Sequence, residues 1–197
     1  MCSEPAHRAR PVRVFAAARR GAGLAALTVT LSAIVSQGVV SAADGVETAG
    51  NVLQVALPAA AATLVAGHRD GKGAFELAEA LAVTWSVTYT LKYGIDAERP
   101  NGDRHSFPSG HTSTSFAAAE FVRRRYGWEL GAPAYGLASF VAYSRVQSNQ
   151  HYLRDVAAGA GLGVLSSYLF ARPYKGWQAG VQGDSRSLVV VWARSRR

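Results

Sequence analysis

The chain is divided into uncharged apolar runs that charged or polar segments separate. The run at 21–43 and the run at Thr48–Gly67 each reach the roughly 20 residues that a helix needs to cross a bilayer. Three later runs are only 12 to 16 residues long, which is typical of core helices: Ala80–Leu91, Leu130–Ser144 and Val156–Ala171. The pattern predicts one all-α domain, a helical bundle in which Thr48–Gly67 is either a span or a buried helix.

Mean hydropathy and local signals add detail to this prediction. At +0.04, the mean hydropathy fits a globular or partly embedded chain better than one made mostly of spans. Helices are predicted at four segments: Phe75–Tyr93, Thr112–Tyr126, Ala134–Arg145 and His151–Phe170. Gly159 and Gly163 place small residues on one helix face, which permits close contact with a neighbouring helix. Asp96–Phe107 is predicted to be a loop, and Ser187–Ala193 a short strand or an extended tail.

The first 43 residues predict an export signal or a membrane anchor. Five arginines precede the uncharged run: Arg8, Arg10, Arg13, Arg19 and Arg20. Small residues at its end fit cleavage after Ala42 or Ala43, and an uncleaved anchor is the alternative. In both cases the basic end stays in the cytoplasm, so the rest is exported to the cell envelope, in the periplasm or on the outer face of the inner membrane. Residues 44–173 are then the helical domain, and 174–197 a C-terminal extension.

The net charge of +8 does not indicate a nucleic-acid-binding protein. Without residues 1–42, five of the 21 basic and one of the 13 acidic residues are lost, which leaves 16 against 12, or +4. The remaining basic clusters fit solvated faces or contacts with a membrane surface, and they are Arg123–Arg125 and the tail residues Arg194, Arg196 and Arg197. The single cysteine, Cys2, cannot form an intramolecular disulfide. No obligate protein partner is indicated.

Three polar blocks suggest a binding site for an oxyanion. They are Lys92 with Arg99-Pro100, Pro108-Ser109-Gly110-His111, and Ser144-Arg145 with His151 and Asp155. Lys92, Arg99 and Arg145 lie beside apolar helices, and because burial of an unpaired charge is costly, three cations together require an anion. Arginine offers a planar fork that matches phosphate, and lysine a point charge. The N–H groups of Ser109 and Gly110, just before a helix, can point at a phosphate oxygen.

The histidines of these blocks suggest nucleophilic catalysis. His151 and Asp155 are four residues apart, which places them on one face of the predicted helix. The carboxylate can then accept a hydrogen bond from one ring nitrogen and leave the other free to attack phosphorus. His111, on the far side of the anion, is placed to protonate the leaving oxygen. Phosphoryl transfer needs mainly positioning and charge stabilisation, which this set supplies without a metal or another cofactor.

Together the three blocks resemble the type 2 phosphatidic acid phosphatase family, which shares its fold with bacterial acid phosphatases and vanadium haloperoxidases. All eleven motif residues are present with the family's spacing, over 92–155 directly and, by helix pattern, over about 50–172. The resemblance implies a helical bundle of this kind, with the site at one end and a short extended C-terminal tail. It implies His151 as the nucleophile, Asp155 as its partner and His111 as the general acid. It also implies a set of phosphate-binding residues: Lys92, Arg99, Ser109, Gly110 and Arg145.

The predicted function is hydrolysis of phosphate monoesters or pyrophosphates through a phosphohistidine at His151. The expected substrates are lipid-linked, such as phosphatidic acid or a polyprenyl pyrophosphate. Two alternatives stay open: a vanadate-dependent haloperoxidase and a non-catalytic protein that binds lipid phosphates. A zinc site made of His111, His151 and Asp155 is a further alternative, but it leaves the three cations unexplained. Arg104 and His105 adjoin the blocks and are predicted to lie at the rim of the site.

Overall fold

The computed structural model describes residues 42–174, 177–184 and 187–194 of the 197-residue chain. Within these ranges the chain forms five helices and then one β-hairpin. The elements are α1 (Ala42–Gly67), α2 (Gly71–Ile95), α3 (Gly110–Tyr126), α4 (Trp128–Gln147), α5 (Leu153–Phe170), β1 (Trp177–Asp184) and β2 (Ser187–Arg194). The predicted helical bundle is confirmed. The predicted signal or anchor at 1–43 lies outside the described residues, apart from the first two residues of α1.

A single residue, Gly127, separates α3 from α4. Its φ of 97° lies in the left-handed region, which glycine adopts without steric cost, so the chain turns sharply there. The helix α4 therefore begins at Trp128, six residues before the predicted start at Ala134. Pro133 lies inside this helix, although proline usually marks a helix boundary in sequence.

The central helix of the bundle is α3, which packs against all four other helices. Its contact with α5 depends on Gly159 and Gly163, which face the α3 backbone. A Cβ at Gly159 would lie 2.6 Å from the carbonyl oxygen of Ser109, and one at Gly163 would overlap the carbonyl oxygen of Ser113. The predicted small-residue face is therefore confirmed, and it brings the beginning of α3 against the beginning of α5.

Among the described helices, α1 alone has the length and the apolar composition to cross a membrane, over Gly45–Gly67. Only 39% of its most apolar window is buried inside the protein, so much of this surface faces outward. The same helix contributes Leu57, Ala61 and Leu64 to the core. Thus α1 combines the composition of a span with the packing of a core helix.

A buried ion-pair network ties α2 to α3 at the end of the bundle remote from Lys92. Arg125 donates to Asp70 Oδ1 at 2.6 Å and to Glu76 Oε2 at 2.7 Å, and its side chain is almost fully buried. The interpretation of Arg123–Arg125 as solvated or membrane-surface charges is therefore wrong for Arg125. Two carboxylates at the beginning of α2 supply the negative charge that a buried guanidinium requires.

The C-terminal segment forms an antiparallel hairpin rather than a simple extended tail. Trp177 lies opposite Arg194, and Asp184 lies opposite Ser187. The strand predicted at Ser187–Ala193 is confirmed as β2. Its partner β1 has no counterpart in the sequence prediction, because the two glycines within it weaken the strand signal.

Candidate active site

The three motif blocks meet at one end of the bundle, around a cavity of about 490 Å³. They come from the last turn of α2 and the loop after it, from the start of α3, and from the end of α4, the turn that follows it and the first turn of α5. Six of the eight predicted site residues line this cavity: Lys92, Arg99, Gly110, His111, Arg145 and His151. The other two, Ser109 and Asp155, are fully buried and lie outside the lining. The fold therefore gathers the predicted residues into one site, with two of them beneath its surface.

His151 contacts Asp155 through a serine that sequence reasoning missed. Ser106 Oγ donates to Asp155 Oδ2 at 2.5 Å and lies 3.3 Å from His151 Nδ1. The direct distance between His151 Nδ1 and Asp155 Oδ2 is 3.8 Å, which is too long for a hydrogen bond. Because Ser106 donates its proton to the carboxylate, its oxygen can accept from His151 Nδ1–H, which leaves a lone pair on Nε2. The sequence marks Ser106 as a candidate site residue only by its position, two residues before the motif block that begins at Pro108.

The nucleophile candidate lies in the turn before α5 and not on the helix. The helix begins at Leu153, and Asp155 Oδ2 caps its first turn by accepting from the Tyr152 N–H at 3.0 Å. The His151 N–H donates to the carbonyl oxygen of Arg145 at 3.2 Å, which ties this turn to the end of α4. The prediction that His151 and Asp155 share one helix face is therefore wrong, because the helix starts only after His151.

The beginning of α3 presents backbone donors to the cavity. The Ser109 N–H already donates to the carbonyl oxygen of Asp155 at 2.9 Å, and Ser109 Oγ accepts from Thr112 Oγ1 at 3.1 Å. Ser109 therefore holds α3 against α5. The N–H groups of Gly110 and His111, in the first turn of α3, have no partner within the helix and remain available to an anion.

Two of the predicted cations have neutral partners. Lys92 Nζ donates to the carbonyl oxygen of His105 at 2.6 Å, and Arg99 Nη1 donates to Gln150 Oε1 at 2.8 Å. In the described part of the chain, neither side chain forms an ion pair. Their positive charges are therefore left to compensate a bound anion.

Arg145 and His111 share an acceptor on α1. Arg145 Nη1 donates to Asn51 Oδ1 at 2.9 Å, and Nη2 donates to the carbonyl oxygen of Glu47 at 2.9 Å. Arginine has only donors, so the oxygen of the Asn51 amide must face it. The same oxygen lies 2.9 Å from His111 Nε2, so this nitrogen carries a proton. Sequence reasoning missed Asn51 and Glu47 because α1 carries no part of the motif blocks.

Burial and nearby positive charge lower the pKa values of both histidines. Burial is the main cause for His111, and the charges of Arg145 and Lys92 add to it, so its pKa is about 4. Burial, followed by the charges of Lys92 and Arg99, lowers the pKa of His151 to about 3. Both rings are neutral near pH 7 in the free site. Neutrality suits a nucleophile, and a bound phosphate dianion would raise the pKa of His111 towards that of a general acid.

The two residues that were predicted to lie at the rim belong to the lining of the cavity. Arg104 and His105 line the cavity, as predicted for the rim, and both contact Asp96.

Within the described ranges, no group of three or more His, Cys, Asp or Glu side chains has an arrangement that could hold a metal ion. His111, His151 and Asp155 are therefore not arranged as a zinc-binding cluster in this structure.

Comparison with known proteins places the chain in a family. Residues 25–178 match the PAP2 superfamily. Lipid A 4'-phosphatase of Helicobacter pylori is 36% identical over 141 residues, which cover 66% of this chain and 71% of the relative. Lipid A 1-phosphatase of the same species is 31% identical over 133 residues, which cover 63% of this chain and 66% of the relative. The crystal structure of LpxE from Aquifex aeolicus matches with 20% identity and a TM-score of 0.49, over 60% of this chain and 82% of that one. The chain belongs to the PAP2 superfamily, and it is a phosphatase, as its three motif blocks predict.

Proposed function

We propose that this protein is a membrane-associated lipid phosphatase that works through a phosphohistidine at His151. The observation that carries the proposal is the setting of His151. Its ring lines a cavity that contains three cations, while Ser106 and Asp155 hold its Nδ1 side. A nucleophile with a fixed tautomer, facing a site built for a polyanion, is what phosphoryl transfer to a side chain requires.

In the first step His151 Nε2 attacks phosphorus, and the bond between phosphorus and the leaving oxygen breaks. The ring becomes positively charged, and the Ser106–Asp155 pair stabilises this charge through Nδ1. The aspartate carboxylate of a serine-hydrolase triad stabilises its histidine in a similar way. His111, made more basic by the bound dianion, gives its proton to the leaving oxygen.

In the second step a water molecule attacks the phosphorus of the phosphohistidine. His111 accepts a proton from this water, the phosphorus–nitrogen bond breaks, and inorganic phosphate is released. His151 Nε2 recovers its lone pair, so the site returns to its starting state. One histidine thus serves as acid in the first step and as base in the second.

The cations and backbone donors stabilise the transferred group. Lys92, Arg99 and Arg145 line the cavity, and Gly110, which has no side chain, lets the α3 backbone approach the phosphate oxygens. Charge spreads over the equatorial oxygens in the transition state, so fixed donors act where charge is greatest.

A lipid substrate is supported by the relatives and by the surface. The relatives include lipid A phosphatases and a probable diacylglycerol pyrophosphate phosphatase. The composition of α1 and the many large apolar side chains on the outside of the helices suit contact with a membrane. We include phosphatidic acid, a polyprenyl pyrophosphate and a phosphorylated lipid A among the substrates to test.

The proposal extends to the location and division of the chain. Residues 1–43 direct export or anchor the protein, 44–173 form the catalytic domain, and 174–197 form a C-terminal extension. The basic residues before the first uncharged run keep the N-terminus in the cytoplasm, so the catalytic domain acts in the cell envelope, on the outer side of the inner membrane.

The test is phosphate release by the full chain in detergent, with EDTA present. The substrates are p-nitrophenyl phosphate, phosphatidic acid, a polyprenyl pyrophosphate and lipid A. We expect release that EDTA does not prevent and that vanadate blocks, because vanadate mimics the transition state. Tight binding of the lipids without any release would instead indicate a binding protein.

The alkaline limb of the pH profile is expected to come from Lys92. Burial, with the nearby charge of Arg99, lowers the pKa of Lys92 to about 8. Below that pH Nζ is charged and attracts phosphate, and above it the charge is lost. For p-nitrophenyl phosphate, whose leaving group needs no proton from His111, kcat/KM should therefore fall as the pH rises through about 8. In Lys92→Arg the charge persists to much higher pH. A limb that stays in place in this variant would contradict the assignment.

The variant Ser106→Ala is expected to lower kcat by about 10- to 100-fold with little change in KM, the usual size of an effect through an orienting partner. The variant loses the contact between His151 and Asp155, so the ring can rotate away from its productive orientation. The matched control is Ser167→Ala at the other end of α5, which also loses a buried hydrogen bond, of 2.6 Å, to Ala117. Equal kcat values in the two variants would show that Ser106 has only a structural role.

A further inference from the structure

One wall of the active-site cavity is a row of aromatic rings on α2. Trp85, Tyr89 and Tyr93 recur every four residues, so they lie on one helix face, and all three line the cavity. Each exposes half or more of its surface. These rings have no part in the chemical steps described above.

The rings are held in place by their neighbours. Trp85 Nε1 donates to Thr114 Oγ1 at 2.9 Å. Tyr89 and Tyr93 are stacked with their ring centres 6.4 Å apart, and Tyr93 meets the ring of His105 edge-on at 4.7 Å. The wall is therefore a fixed surface, and each of its residues keeps half or more of its area open to a ligand.

The cavity is much larger than a phosphate and contains no aliphatic side chain. A phosphate has five heavy atoms and, at roughly 30 Å³ for each, as for a water molecule, takes up about 150 Å³. More than half of the 490 Å³ cavity is therefore left for the rest of the substrate. Among the described residues that line it, the side chains other than the three rings are charged, amide, imidazole or hydroxyl groups, with one glycine.

The aromatic wall lies on the side of the general acid. Thr114, which holds Trp85, comes one turn after His111 on α3 and faces the same cavity. Gln54, the lining residue from α1, comes three residues after Asn51, the partner of His111. His111 is proposed to protonate the leaving oxygen, so the leaving group of the substrate lies next to His111. Trp85 and Gln54, which lie near His111, then flank this leaving group.

We propose that this part of the cavity is a subsite for a sugar ring, so that the phosphate removed is one carried by a sugar headgroup. The inference rests on the proposed phosphatase function. The apolar face of a sugar ring stacks on Trp85 and Tyr89, and its hydroxyl groups bond to Gln54 and Arg104. A hydrocarbon chain would find no aliphatic partner in this lining and stays outside, in the lipid.

The test uses two soluble phosphates of primary alcohols, glucose 6-phosphate and glycerol 3-phosphate, whose leaving groups are chemically alike. The full chain in detergent should prefer the sugar phosphate in kcat/KM. In Tyr89→Leu and Trp85→Ala the ratio of the two kcat/KM values should fall about 10-fold, because a stacking surface is lost. The control Trp128→Ala, an exposed tryptophan of α4 outside the cavity, should leave the ratio as in the wild type.

The outcomes separate this inference from the proposed function. No phosphate release from any substrate would overturn the phosphatase function itself. Release with an unchanged ratio in Tyr89→Leu and Trp85→Ala would leave the phosphatase intact and overturn the sugar subsite. Weaker binding of these variants to phosphatidylglycerol vesicles, with the ratio unchanged, would assign the rings to the membrane interface and also overturn it.

Discussion

Replacing His151 with alanine is expected to abolish phosphate release, with a fall in kcat of about 10⁴-fold or more, as for other covalent nucleophiles. The variant keeps the three cations and therefore still binds the substrate, so KM should change far less than kcat. The His151 side chain is nearly fully buried and forms one side-chain hydrogen bond within the described part of the chain, with Ser106, so its removal should leave the bundle folded. Rates on p-nitrophenyl phosphate and on a lipid phosphate measure the loss.

A trapping experiment shows whether the loss reflects a covalent step. Wild-type enzyme denatured during turnover of a substrate that is radiolabelled in its phosphate should retain the label. Acid should remove this label and alkali should not, as is expected for a phosphohistidine. His151→Ala should retain none. The matched control is His68→Ala, since His68 is exposed and lies outside the cavity lining. Label that persists in His151→Ala would place the nucleophile elsewhere.

Replacing His111 with alanine should have an effect that depends on the leaving group. For an alkyl or lipid phosphate, whose alkoxide is a poor leaving group, we expect kcat/KM, which reports only the first step, to fall about 10²- to 10⁴-fold, the usual contribution of a general acid. For p-nitrophenyl phosphate the leaving phenolate needs no proton, so the fall in the first step should be small. His111 lines the cavity and is held there by its hydrogen bond to Asn51, which is the placement that a general acid requires.

The comparison between substrates separates acid catalysis from simple binding. If His111 only binds phosphate, its removal should lower kcat/KM for both classes of substrate to the same extent. The variant Asn51→Leu provides the matched control, because it removes the acceptor that His111 Nε2 shares with Arg145 Nη1 but leaves the imidazole in place. It should therefore lower kcat/KM by the same factor for alkyl and for aryl phosphates. Equal losses on alkyl and aryl phosphates in His111→Ala would contradict the general-acid role.

Much of the fold and of the site is already determined by short stretches of the sequence. Uncharged runs of helical length predict the bundle, and the Gly159–Gly163 spacing predicts a close helix contact, because both depend on neighbours within a few turns. The three blocks bring cations, glycine and histidines into patterns that suit phosphate. The fold then places six of the eight predicted residues around one cavity.

What only the tertiary structure decides is how these groups are connected. Ser106 contacts His151 and Asp155 across 45 and 49 residues of chain, and Asn51 contacts His111 across 60. The packing of α1, α3 and α5 creates these hydrogen bonds, and no local periodicity encodes them. The buried Arg125 follows the same principle, because whether a charge is solvated or paired depends on which distant carboxylates the fold brings to it. Residue type and spacing thus determine the chemistry available to this protein, and long-range packing determines which atoms carry it out.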